Sequence, residues 1–214
     1  MDMRSVAELF LLLVVLTDFA VLGTSRLSAC IRAIALQGFL LGSLPLLVEG
    51  AWSTHAAALG LGTIAVKAIL LPSFLRWAIR EASVRREVEP LVGYMASLLL
   101  GALALGVAFA IASRLPQIGD TALLVPVALM TLIIGLVVLI TRAKAVSQVV
   151  GYLMLENGIY LFGLTQTRRV PFLLEAGVLL DVFVAVFVMG IVVFHINREF
   201  DSISATNLAE LRER

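Results

Sequence analysis

Residues 152–164, YLMLENGIYLFGL, set one carboxylate, Glu156, and one amide, Asn157, in a run otherwise suited to an apolar solvent. An acid inside hydrocarbon costs about 2.5–3.5 kcal/mol on insertion scales, so its presence needs a reason. The rest of the chain sharpens the question. Of its 214 residues, 61% are hydrophobic and 14% charged, whereas a soluble domain carries roughly 25% charged residues. There is too little polar surface here to cover a water-soluble fold. The sequence therefore reads as an all-α integral membrane protein. A net charge of +1 gives no reason to expect nucleic acid as a partner.

A membrane-crossing helix needs about 20 mainly apolar residues. The polar punctuation places spans at 5–23, 27–48, 55–79, 91–113, 122–141, 145–165 and 171–195, a bundle of seven transmembrane helices. The chain divides into a four-helix membrane region, 1–119, a three-helix region, 120–198, and a polar tail, 199–214. Positive residues favour the cytoplasmic side of a membrane. Seven crossings put Arg4, Arg114, Arg168 and Arg169 on one side. Arg26, Arg32, Arg76, Arg80, Arg85, Arg86, Arg142, Lys144, Arg198, Arg212 and Arg214 fall on the other. The N-terminus is thus expected outside and the C-terminus in the cytoplasm, with Lys67 left inside the third span.

Other features weigh less. The single Cys30 can form no internal disulfide, and no Cys/His cluster offers a metal site. Arg4, an apolar run and LSAC (27–30) imitate a lipoprotein signal, but Arg26 and Thr24-Ser25 separate the run from the cysteine, so the first segment reads as a retained helix. The charged stretch 76–90 is a solvated connector, a headgroup anchor or a docking surface, with Trp77, Ile79 and Val84 as its apolar side. In the tail, Asn207 followed by Glu210 fits the start of a short amphipathic helix.

Five ionisable residues fall within the spans, and depth separates them. At 1.5 Å per residue, Glu156 lies about 15 Å from the cytoplasmic end of its helix, and Asp181 about 15 Å from the outer end of the next. The two carboxylates share a depth on consecutive helices and are expected to be neighbours. Lys67 lies at the centre of the third span. Asp18 and Glu175 lie nearer helix ends, within reach of interfacial water, as structural residues or at the entrance of a pathway, where His195 also falls. Glu156, Asp181 and Lys67 read either as a neutralised network holding helices together or as a lateral proton relay, since desolvated carboxylates exchange protons more readily near neutral pH. Gln37, Ser147, Gln148 and Asn157 could hold connecting waters. Gly151, Gly158 and Gly163 would let a neighbouring helix approach closely.

The last three helices also have a familiar pattern. An apolar helix is followed by Arg142 and Lys144, a helix with MLEN around a central acid, and a helix with a second central acid. His195, Arg198 and FDSISATNLAELRER (200–214) end the chain. Over roughly residues 120–214 this resembles the three-helix K-type subunit of respiratory complex I and the C-type subunit of multi-subunit cation/proton antiporters. With four helices in front of it, the chain is similar to the component E subunits of hydrogenase 4, in formate hydrogenlyase-type energy-converting [NiFe] hydrogenases. The resemblance implies a proton path in which Glu156 and Asp181 stand where the K-type family has buried glutamates, Asp181 being one methylene shorter. It implies no cofactor on this chain, with a nickel–iron centre and iron–sulfur clusters in partner subunits. The implied partners are a soluble hydrogenase arm, a membrane anchor subunit and antiporter-like subunits, in the bacterial inner membrane.

Two alternatives remain at this level. One is a subunit of a cation/proton antiporter without a redox partner; the other is a structural scaffold whose buried charges only fix helix packing. A stand-alone enzyme is not expected, because no nucleophile–base pair, phosphate-binding glycine loop or metal-ligand cluster appears.

Overall fold

The computed structural model describes residues 3–48, 54–81, 91–115 and 122–165, together with 180, 181, 183, 184, 186, 187, 189 and 190. Glu175, His195, the tail 199–214 and the connector beyond residue 81 lie outside the described residues. Among the described residues all regular structure is helical: α1 (Met3–Gly23), α2 (Leu27–Val48), α3 (Thr54–Thr63), a π-helical segment π1 (Ile64–Leu70), α4 (Leu71–Glu81), α5 (Tyr94–Ala112), α6 (Leu124–Thr141) and α7 (Ala145–Thr165). The described residues between 180 and 190 are helical as well.

Five helices are long and apolar enough to cross a membrane: α1, α2, the unbroken run Ala57–Arg80, α5 and α6. The chain is a helical membrane protein. α7 matches them in length, with 21 residues, but Gln148, Glu156 and Asn157 lower its hydropathy. In hydrocarbon every backbone polar group must be paired within the protein, which continuous helices achieve without help. One result differs from the expected uniform helix over 55–79. The Leu71 N–H reaches back five residues to the Val66 carbonyl, the π pattern, instead of the four residues of an α-helix.

Backbone contact through glycine positions the helices. A Cβ at Gly135 of α6 would lie 2.6 Å from Leu155 Cα, and one at Gly151 or Gly158 of α7 would lie 2.5 Å from the backbone nitrogen of Leu139 or Leu132. Only hydrogen fits at these three positions, so α6 and α7 cross in direct backbone contact. Gly42 of α2 and Gly60 of α3 meet in the same way, and Gly38 of α2 lies against the backbone of Lys67. The π segment is therefore held tightly against α2.

Two apolar cores stack along the bundle. One gathers Ala7, Leu11 and Val14 of α1, Leu40, Leu41 and Leu44 of α2, Leu124, Val127 and Ala128 of α6, and Tyr160 and Leu161 of α7. The other gathers Val21 and Leu22, the α2 residues from Leu27 to Ile34, Leu71, Leu75 and Ala78 of α4, Ile134 and Val138 of α6, the start of α7, and Val184. On α1, α2 and α7 the buried side chains between these two sets are polar, and on α6 the buried Thr131 follows Met130 where the second set begins.

Candidate functional site: a polar layer between two apolar cores

The interrupted positions are Asp18 in α1, Gln37 in α2, Lys67 in π1, Thr131 in α6, Glu156 and Asn157 in α7, and Asp181. Their exposures run from 0% for Asp18 and Thr131 to 4% for Lys67, as low as those of the leucines above and below. Apolar side chains flank the layer on both sides, and buried polar groups in such a setting satisfy one another.

They do so in two connected sets. In the first, the Lys67 ammonium donates to Glu156 Oε1 at 2.5 Å and to Asp181 Oδ1 at 3.1 Å. It also lies 5.8 Å from the centre of the Tyr160 ring. The Tyr160 hydroxyl is 3.2 Å from Thr63 Oγ1. In the second set, Asn157 Nδ2 donates to Gln37 Oε1 at 3.0 Å, and Gln37 Nε2 donates to Asp18 Oδ1 at 2.6 Å. Thr131 Oγ1 donates to the other Asp18 oxygen at 2.8 Å. The sets meet in the consecutive residues Glu156 and Asn157, and again where Gly38, next to Gln37, touches Lys67. The layer links α1 and α6 through α2 and α7 to π1 and Asp181.

The first set has a definite charge count. One ammonium faces two carboxylates, so with all three ionised it carries a net −1, and one bound proton makes it neutral. Glu156 Oε2 is buried without a hydrogen-bond partner among the described residues, which leaves it free to carry that proton. Among the described residues no group of three or more His, Cys, Asp or Glu could hold a metal ion.

The structure brings Glu156, Asp181 and Lys67 together and joins Gln37 and Asn157 to them. Both carboxylates, not one, pair with Lys67. Other expectations are corrected. Asp18 is not in contact with interfacial water: although five residues from the end of α1, it faces inward and is wholly buried. Ser147 and Gln148 do not join the layer. Both are two turns or more nearer the α7 N-terminus, where Ser147 is buried and Gln148 donates to the Arg142 carbonyl. Arg142, read as a loop charge, is 2% exposed; it donates to the Leu22 carbonyl at the end of α1 and lies 5.8 Å from the Tyr94 ring. Burial lowers its pKa below the usual arginine value, against the opposing influence of Cys30 and Tyr94. It still stays charged, and it compensates the C-terminal carbonyls of α1.

Thr131, Thr63 and Tyr160 belong to the layer and were not singled out from sequence. Their signal was register: Thr131 lies four residues before Gly135, and Tyr160 four after Glu156, each on the inward face of its helix.

No protein-family profile and no solved structure matches the chain. It is 37% identical over 204 residues to the uncharacterized protein Rv0085 of Mycobacterium tuberculosis, covering 93% of this chain and 92% of that one. The chain belongs to the Rv0085 family. It is also 28% identical over 148 residues to hydrogenase-4 component E of Escherichia coli and of Shigella flexneri, covering 68% of the chain in each direction.

Proposed function

We propose that this member of the Rv0085 family is a non-redox membrane subunit of an energy-converting, respiratory-type hydrogenase complex, in which Lys67, Glu156 and Asp181 pass protons sideways within the membrane. The distant similarity to hydrogenase-4 component E supports the context. The observation that carries the chemistry is one buried ammonium shared by two buried carboxylates, inside a polar layer flanked by two apolar cores.

A polar layer between apolar cores favours lateral transfer. Protons moving straight through the bilayer would have to cross both apolar cores, whereas protons moving across the bundle stay among polar groups. Each proton arriving at the cluster changes its charge by one unit in a low-dielectric setting, where Coulomb interactions are several times stronger than in water. A charge change in a neighbouring subunit is thereby felt as a change in proton affinity here. The end carrying Arg26, Arg80, Arg142 and Lys144 faces the cytoplasm, and the membrane is the bacterial inner membrane. The electrons pass through a nickel–iron centre and iron–sulfur clusters in partner subunits, reached through an anchor subunit, with antiporter-like subunits continuing the proton path.

The test has two parts. Gentle purification from the native membrane should recover a nickel–iron protein with the chain; recovery of an antiporter assembly without one points to ion exchange instead. In the assembled complex, Glu156→Gln and Asp181→Asn should each lower proton translocation per electron at least tenfold. Normal translocation in both, with impaired assembly, would leave the cluster a structural device.

A further inference from the structure

Asp18 is not needed for the cluster just described, yet it is the most deeply buried acid among the described residues. No cation lies within ion-pair distance of it among those residues. The elements packed around α1 supply no counter-charge. α6 and α5 contain no charged residue, and α5 meets α1 through Gly101 against Phe19 and Leu22. Arg32 of α2 is exposed, and Arg142 is engaged at Leu22. The charges facing Asp18 in its own layer are Lys67, Glu156 and Asp181, beyond the two amides.

We infer that Asp18 is a second proton-binding group, connected to the Lys67 cluster through the Gln37–Asn157 amide pair and exchanging its proton with the Thr131 hydroxyl as partner. The placement of this group in a transport path rests on the proposed function; its proton binding does not.

The partners suit both protonation states. Ionised, the carboxylate only accepts, and it accepts from Gln37 Nε2 and Thr131 Oγ1. Protonated on Oδ2, it donates to Thr131 Oγ1, because a hydroxyl both donates and accepts. The threonine hydrogen then turns to the carbonyl four residues back in its own helix, at Val127, an ordinary bond for threonine in a helix. Gln37 keeps its bond throughout. Neither state strands a buried polar atom, so the site can gain and lose a proton without rearranging the helices.

The amide pair gives the connection its direction. Gln37 presents its donor to Asp18 and its acceptor to Asn157, which precedes Gly158 and follows Glu156 in α7. A negative charge appearing at Asp18 polarises both amides and raises the proton affinity of the carboxylates beyond them.

Infrared difference spectra of the intact complex in membranes, recorded as pH is stepped, read protonated carboxyl groups directly through their C=O stretch. Asp18→Asn keeps both contacts, since its oxygen accepts from Gln37 and its amide donates to Thr131. The wild type should show carboxylic-acid signal that disappears as pH rises, with one component missing in Asp18→Asn. Glu156→Gln should remove a different component and move the midpoint of the remaining one by about one pH unit, the scale of coupled sites. Spectra of Asp18→Asn identical to wild type would overturn the inference. Should that variant fail to fold, Thr131→Val must shift the Asp18 component in frequency, and an unmoved component would equally overturn it. If Asp18→Asn is silent while Glu156→Gln abolishes translocation, the proposed function stands without this inference. If the Asp18 component titrates while Glu156→Gln translocates normally, the reverse holds.

Discussion

α5 and α7 are similar in length, at 19 and 21 residues, and opposite in character. α5 buries Ser97, Gly101, Ala104 and Ala108, a single narrow stripe of small residues, while Leu99 and Leu103 are 69% and 63% exposed. α7 buries glycines against α6, leucines in both cores, and Glu156 and Asn157 between them. The difference shows what polarity means in this fold. In water a charged residue marks the outside of a helix; in hydrocarbon the outside is leucine, and an acid marks the face turned towards other helices.

Breaking α7's side of that contrast should have the largest effect. Lys67→Met leaves two carboxylates facing each other without a cation, and removing one partner of a buried ion pair costs about 3–5 kcal/mol. The solubilised chain should lose most of its resistance to thermal unfolding, and Lys67→Arg should recover only part of it. Next comes Gly135→Ala, whose new methyl would collide with the Leu155 backbone; forcing α6 from α7 should cost about 1–3 kcal/mol in the same assay. Thr63→Val removes the hydroxyl near Tyr160 and should cost about 0.5–1.5 kcal/mol, the usual net value of one hydrogen bond. The smallest effect belongs to α5. Leu99→Ala and Leu103→Ala should each stay within about 0.5 kcal/mol of wild type, as exposed substitutions generally do. A large loss at Leu99 would show that α5 packs against another subunit there.

The sequence made the class and the depth of the central acids legible, because hydropathy and a count of 1.5 Å per residue need no tertiary information. Glu156, Asp181 and Lys67 were found that way. What depth cannot supply is the direction a side chain faces around its helix. Asp18 was misplaced at an interface for that reason: its distance from the end of α1 was right, but it turns towards Gln37 and Thr131. Arg142 was misread because a basic residue beside a helix end usually lies in water, and only the structure shows Leu22 and Tyr94 closing over it. The π segment left no signal in IAVKAIL (64–70), and its close contacts with Gly38 and Gly42 come from a distant part of the chain.

The account rests on Lys67 being the common partner of Glu156 and Asp181. A double-mutant cycle with Lys67→Met and Glu156→Gln, read as unfolding free energy of the purified chain, tests that contact directly. The pair predicts that the double variant is less damaged than the two single losses add up to, by about 0.5–3 kcal/mol, as for residues in direct contact. Losses that add to within about 0.3–0.5 kcal/mol would contradict it, because that is the behaviour of residues that do not touch.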